Sequence, residues 1–237
     1  LPFSLLRLYL SKGHERGRKM KTMIAIPCMD TVQTEFSSSM TNMCLNGKVG
    51  EVTAKYLPCS LVYKARTDLG LMAIQEKADY VLWIDSDMVF PNTLMIDLIR
   101  DMEDEKKDIV AGVCHMRREP YKPVLWSKLR QGLTAFENES ECLVDYPRDG
   151  LFEVEGCGFG CILMKTEVIM AVKEKYSELF APLPGYGEDL SFCIRARGCG
   201  YRIWVDPKVQ VGHKSSIIVN DSVFQAFRKK LPGVDLR

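Results

Sequence analysis

From Lys21 onward, short apolar runs alternate with stretches of helical period. TMIAIP at 22–27 reads as a strand ending in a turn at Cys28-Met29-Asp30, and a helix is predicted over 32–45. A second strand is expected at 52–57. The helix after it, 61–77, places Leu69, Met72, Ala73 and Ile74 at helical spacing. The uninterrupted apolar run at 80–84 is bounded by acidic residues, the pattern of a strand buried on both faces of a parallel sheet. Pro91-Asn92 opens a helix to about Asp104, and residues 108–113 return as a strand.

Strand, helix, strand, helix, strand is the signature of an α/β domain with right-handed crossovers. Beyond Cys114 the rhythm changes. Short strands are predicted at 123–126, 142–146, 151–154 and 161–164, with a helix over 166–176. Another helix starts near Glu188 and stops at Gly198 or Gly200, before a strand at 201–205. No linker-like composition and no internal repeat divides the chain, so residues 20–237 are expected to form one domain: a nucleotide-binding-like first half and a mixed second half.

Composition changes this picture little. The chain has 237 residues and is 46% hydrophobic, ample for a packed core, which excludes disorder as the main state. Lys and Arg number 32 against 31 Asp and Glu, so whole-chain charge gives no sign of a nucleic-acid partner. Nine scattered cysteines predict a reducing, cytoplasmic setting and not a disulfide scaffold. Cys157-x3-Cys161 and Cys193-x5-Cys199 lack zinc-site spacing and read as small buried residues. Residues 1–19 are expected to be an N-terminal extension, non-native or disordered. LPFSLLRLYL is too short to span a bilayer, and Arg7, Lys12, Arg16, Arg18 and Lys19 leave peripheral membrane contact as the sharper reading.

The chemistry concentrates in three segments. VLWIDSDMVFP sets Asp85 and Asp87 at the carboxyl end of a buried strand, where ligands of open α/β sheets sit. Two carboxylates one residue apart can turn toward one hard divalent ion, Mg²⁺ or Mn²⁺, bridging to phosphate; alternatively, paired acids simply end a strand and cap the next helix. The nucleophile loop of haloacid-dehalogenase-like phosphatases reads similarly, but that family sets it after its first strand. Gly185-Tyr186-Gly187-Glu188-Asp189 opens a helix, and its acids suit either catalysis or the helix dipole. In Val209-Gln210-Val211-Gly212-His213-Lys214, His213 is either a neutral metal ligand or a structural imidazole. Cys114-His115-Met116-Arg117-Arg118 reads first as a solvated loop and second as a neutraliser of a diphosphate or acidic sugar.

In this order, from Thr22 to Lys214, the segments resemble glycosyltransferases of the GT-A fold, especially family 2 and its bacterial and phage relatives. The opening strand with Pro27, Ala65-Arg66-Thr67, IDSDM, EGCGFGCILMK, GYGEDLSFCIRARGCGYRIWVDP and the terminal VGH carry the resemblance. It implies a Rossmann-like half, a mixed central sheet and helices on both faces. The implied activity is metal-dependent transfer of a sugar, probed first as a UDP-sugar, from a nucleoside diphosphate to a carbohydrate or other hydroxyl acceptor, with inversion. A retaining enzyme and a catalytically weak sugar-nucleotide or glycan-binding module are the alternatives. By the same resemblance, Asp85 faces the ribose and the metal, Asp87 ligates Mn²⁺ or Mg²⁺, and His213 is the distal ligand. Asp189 is the base, supported by Glu188. Pro27 and Arg66 lie near the nucleotide, with Thr67 where the family has Asn. Gly156, Gly158, Phe159 and Gly160 match the loop beneath the donor sugar and acceptor.

Overall fold

The computed structural model describes residues 19–215 and 218–230. The expected extension therefore lies, all but Lys19, outside the described residues. The first half forms β1 (Lys21–Cys28), α1 (Thr34–Asn46), β2 (Glu51–Pro58), α2 (Val62–Gln75), β3 (Tyr80–Ile84), a two-residue β4 (Met88–Val89), α3 (Leu94–Asp104) and β5 (Ile109–Val113). The second half follows with β6 (Leu125–Arg130), β7 (Glu139–Cys142), β8 (Phe152–Val154), β9 (Gly156–Cys157), β10 (Cys161–Lys165), α4 (Thr166–Tyr176) and α5 (Glu188–Gly198). The described chain closes with β11 (Ile203–Gln210), β12 (Gly212–Lys214), β13 (Ile218–Val219) and α6 (Asp221–Lys230). Among the described residues, no helix is long and apolar enough to cross a membrane.

Seven strands make the central sheet in the order β2-β1-β3-β10-β5-β11-β8. β1 pairs in parallel with β2 and β3, and β5 with β11, whereas β10 runs antiparallel between β3 and β5. The run at 80–84 is thus buried on both faces as expected, but in a mixed sheet. Strand parity sorts the helices. Met23, Ala25, Val81 and Trp83 face one way, covered by Leu69 and Ala73 of α2, Ile169 of α4 and Phe192 of α5. Ile24, Ile26, Leu82 and Ile84 face the other way, covered by Phe36, Met40 and Met43 of α1 and Leu94, Leu98 and Met102 of α3. Gln33 gives α1 no side-chain cap. Its helical state rests on burying that apolar edge, about 1.5–3 kcal/mol for a fully buried side chain such as Phe36.

Three strands of the second half depart from their expected bounds. The strand expected at 142–146 lies earlier, at Glu139–Cys142, as a hairpin partner of β6. The strand expected at 201–205 begins at Ile203 and continues through Pro207 to Gln210; a register shift between Asp206 and Gln210 relieves the ladder bond that Pro207 cannot donate. The strand expected at 123–126 runs over Leu125–Arg130. α6 lies beyond the last predicted element, and Phe224 is its one fully buried residue.

Asp101 of α3 and Asp206 of β11 are buried against each other. Burial first, then the hydrogen bond and charge of Asp206, push Asp101 up to about 7. The folded protein therefore keeps a proton that the unfolded chain releases near pH 4, so stability falls as pH rises from about 4 through 7. Asp101→Asn keeps the shape without the charge. It is expected to flatten that slope and to raise stability at pH 8 by about 1–3 kcal/mol, measured by urea unfolding at pH 5 and pH 8. Identical pH slopes in the two proteins would refute the pairing.

Candidate active site at the carboxyl edge of the sheet

The parallel strands β1, β2 and β3 end at one sheet edge, with Cys28, Pro58 and Ile84 as their last residues. β5 and β11 end there too, delivering the loop of Arg117 and the strand of His213. β10 is antiparallel, so its amino end brings the turn at Gly158–Gly160 to the same edge. A cleft of about 370 Å³ opens among them, lined by Pro27, Cys28, Cys59, Ser60, Val62, Arg66, Asp85, Asp87, Arg117, Glu188 and His213. The sequence could have flagged Cys59 and Ser60, since any loop after a parallel strand reaches this edge.

Arg66 is the electrostatic centre. Its side chain is 3% exposed, its Nη2 donates to Asp85 Oδ1 at 2.8 Å and its Nε to Glu188 Oε1 at 3.3 Å. The guanidinium carbon stands 5.3 Å from the centre of the Phe159 ring. Phe159 itself is buried among Trp83, Phe180 and Phe192 and does not line the cleft. The expectation that Phe159 contacts the donor is corrected accordingly: the ring supports Arg66 from below. Burial raises Asp85 and Arg66 opposes that rise without cancelling it.

Asp87 and His213 meet across a backbone ladder. β12 pairs with β4, His213 opposite Met88, and the Lys214 amide donates to the Asp87 carbonyl at 2.8 Å. His213 Nδ1 lies 2.9 Å from the His115 carbonyl. A carbonyl only accepts, so Nδ1 carries the hydrogen, and Nε2 faces Asp87 Oδ2 at 3.2 Å. A lone pair facing a carboxylate oxygen repels it unless a proton or a cation lies between. Burial disfavours the imidazolium, but Asp87 outweighs it and raises His213. Burial likewise raises Asp87, but His213 and Arg117 outweigh it, and Asp87 is lowered. Two ligands of an octahedral ion, each about 2.1 Å from it, stand about 3 Å apart, so the pair fits Mn²⁺ or Mg²⁺. Among the described residues no group of three or more His, Cys, Asp and Glu could hold a metal; such an ion would take its other ligands from phosphate and water, as these cations commonly do.

Asp189 does not line the cleft. It stands at the head of α5 behind Glu188, where its Oδ1 accepts from the Leu190 amide at 2.7 Å. Burial, then the charge of Glu188, push it up to about 6. Gly158 sits beside it: a β-carbon there would come within 3.7 Å of Asp189 Oδ2 and 2.9 Å of Val124 Cγ2. Tyr186 fixes the approach to α5, its hydroxyl 2.6 Å from the Arg130 carbonyl. Asp189 thus serves an amide at the start of α5 and carries a raised pKa.

No protein-family model matches the chain, and no curated protein matches it either. In three dimensions it is similar to the crystal structure of A197 from STIV, with a TM-score of 0.59 and 18% identity over 83% of this chain and 86% of that one. It is also similar to GalNAc-T7, solved with UDP, GalNAc and Mn²⁺, with a TM-score of 0.55 and 9% identity over 83% of this chain and 43% of that one. The chain has a GT-A-like fold, with a mixed central sheet and helices on both faces.

Arg66→Met would leave Asp85 and Glu188 without their buried counter-charge. It is expected to lower stability by about 3–5 kcal/mol, read from chemical unfolding. Adding Asp85→Asn and Glu188→Gln should restore most of that loss. An unfolding midpoint at the wild-type value in the single variant would show that the cluster carries no such load.

Proposed function

We propose that this protein is a metal-dependent glycosyltransferase that moves a sugar from a nucleoside-diphosphate sugar, with a UDP-sugar as first candidate, to a hydroxyl of a carbohydrate or other acceptor. The observation that carries this reading is the Asp87–His213 pair, set for a cation at the ligand-binding edge of a GT-A-like fold. The ordered motifs of family 2 support the narrower assignment and favour inversion.

Asp87 and His213 would hold Mn²⁺ or Mg²⁺ with Asp85 beside them, and the ion when bound supplies positive charge to the leaving diphosphate. Pro27, Cys59 and Ser60 form the wall on which the nucleotide would lie, and Arg66 holds Asp85 and Glu188 in place beneath it. Asp189, ionised above about pH 6, takes the acceptor hydroxyl proton. The acceptor oxygen forms its bond to the anomeric carbon as the bond from that carbon to the phosphate oxygen breaks. The electron pair of the broken bond leaves with the diphosphate. Gly158 lets the turn before β10 pack closely on Val124 beside Asp189, where a β-carbon would come within 2.9 Å of Val124 Cγ2.

A panel of nucleotide sugars with Mn²⁺, scored by released nucleoside diphosphate and by thermal shift, tests the activity. Release should stop in excess EDTA; undiminished release there would sink the metal assignment. Asp189→Asn is expected to reduce turnover by roughly 10² to 10⁴ while donor affinity and melting temperature hold. In the wild type, turnover should fall as pH drops through about 6, because protonated Asp189 cannot accept. Near-normal transfer by a folded Asp189→Asn protein points instead to retention, with the leaving diphosphate taking the proton.

A further inference from the structure

The two aspartates of IDSDM hold different kinds of counter-ion. Asp85 faces Arg66, which is 3% exposed and pinned a second time by Glu188. Asp87 faces Arg117 at 3.0 Å, and the Arg117 side chain is 54% exposed. Breaking a buried pair from one side leaves an uncompensated charge and is costly, whereas an exposed pair is held only weakly. The first contact is architecture and the second is exchangeable.

Arg117 also reaches Asp87 by construction. Its loop is closed at the base, where His115 bridges to Pro123 and the Met116 amide donates to the Lys122 carbonyl at 2.9 Å. His115 is fully buried, and its carbonyl receives the Nδ1 hydrogen of His213. Two residues on, Arg117 Nη1 donates to Asp87 Oδ2, the oxygen that also faces His213 Nε2. One carboxylate oxygen thus faces a guanidinium and an imidazole together, and the guanidinium lines the cleft.

We propose that Arg117 is a resident counter-ion, holding the cation position on Asp87 in the free protein and passing to the diphosphate when cation and nucleotide arrive together. The diphosphate half rests on the transferase reading; the competition for Asp87 does not. A divalent ion and a guanidinium on one oxygen repel each other, only partly screened at a half-open cleft. A cation arriving alone must push Arg117 into water. A diphosphate offers the displaced fork a bidentate partner, so each ligand eases entry of the other.

Mn²⁺ binding to the nucleotide-free protein, followed by electron paramagnetic resonance, decides the competition. Arg117→Gln should bind Mn²⁺ about two- to tenfold more tightly than wild type, and Asp87→Ala should abolish the site. With Mn²⁺ saturating, UDP should bind Arg117→Gln about tenfold more weakly, and Arg117→Lys should fall between. Equal or weaker Mn²⁺ affinity in Arg117→Gln, or no Mn²⁺ site in either protein, overturns the counter-ion role. Unchanged UDP affinity overturns the transfer to diphosphate. Wild-type protein that takes Mn²⁺ through Asp87 yet binds no nucleoside diphosphate would sink the transferase reading and the diphosphate half together, while the Mn²⁺ comparison still decides the competition. Melting temperatures of the exposed Arg117 variants should match wild type, which separates these outcomes from misfolding.

Discussion

A guanidinium buried beneath the cleft is the constraint on which the rest of the site depends. Arg66 belongs to α2, Asp85 follows β3, 19 residues later, and Glu188 opens α5, 122 residues from Arg66. Removing the guanidinium from water is costly unless both carboxylates are in place. The end of β3 and the head of α5 are therefore brought together by the same contact that makes burial of Arg66 tolerable. Phe159 closes the base of this arrangement, and it comes from the glycine-rich turn that precedes β10. Three motifs far apart in sequence are thus tied to one charge.

That charge also sorts the acids by role. Asp85 and Glu188 are held by Arg66, whereas Asp87 faces His213 and the open side of the cleft. Asp189 has no hydrogen bond from Arg66, and burial first, then the charges of Glu188 and Asp85, raise its carboxyl. Neighbouring carboxylates with one buried cation cannot all ionise with equal ease. Burial raises Asp85 and Asp189, whereas His213 and Arg117 outweigh burial and lower Asp87, and carboxyls displaced in opposite directions are what acid–base chemistry requires.

The first half of the fold was legible because β1, β3 and β5 are buried on both faces. Continuous apolar runs such as 80–84 signal themselves, and the helices between them need only cover one face of the sheet. The second half was less so. β7 is Glu139–Cys142, a mostly polar hairpin strand with only Cys142 buried. The apolar residues read as that strand, Val144 and Tyr146, are buried outside it, Val144 against Phe224 of α6. Pro207, two residues past the expected end of its strand, sits at an irregularity inside β11. In the site, the strand-end pattern points to Asp85 and Asp87, whereas Arg66, which lines the same cleft, follows only from the family resemblance. A glycine-flanked aromatic such as Phe159 looks the same in sequence whether it faces a ligand or the core, and here its ring is buried beneath Arg66. Arg117 was set aside because an arginine in a polar loop has no period, and only the fold shows which carboxylate it meets.

His213 illustrates the remaining limit. Its sequence distance from Asp87 is 126 residues, and no spacing rule joins them. The junction is made by backbone: β4 begins at the residue after Asp87, and β12 lies against it with Gly212 opposite Val89 and His213 opposite Met88. The Val211 amide donates to the Val113 carbonyl at 3.1 Å, fixing the entry to β12 on the end of β5. Ligands carried on paired strands lose little freedom when an ion binds, because the ladder has already restricted it. The same ladder holds the two groups close when no ion is between them, which is why the protein must place a proton on His213 or a counter-ion on Asp87. Preorganisation and charge compensation are therefore one design problem at this edge of the sheet, and the register of β4 against β12 sets both.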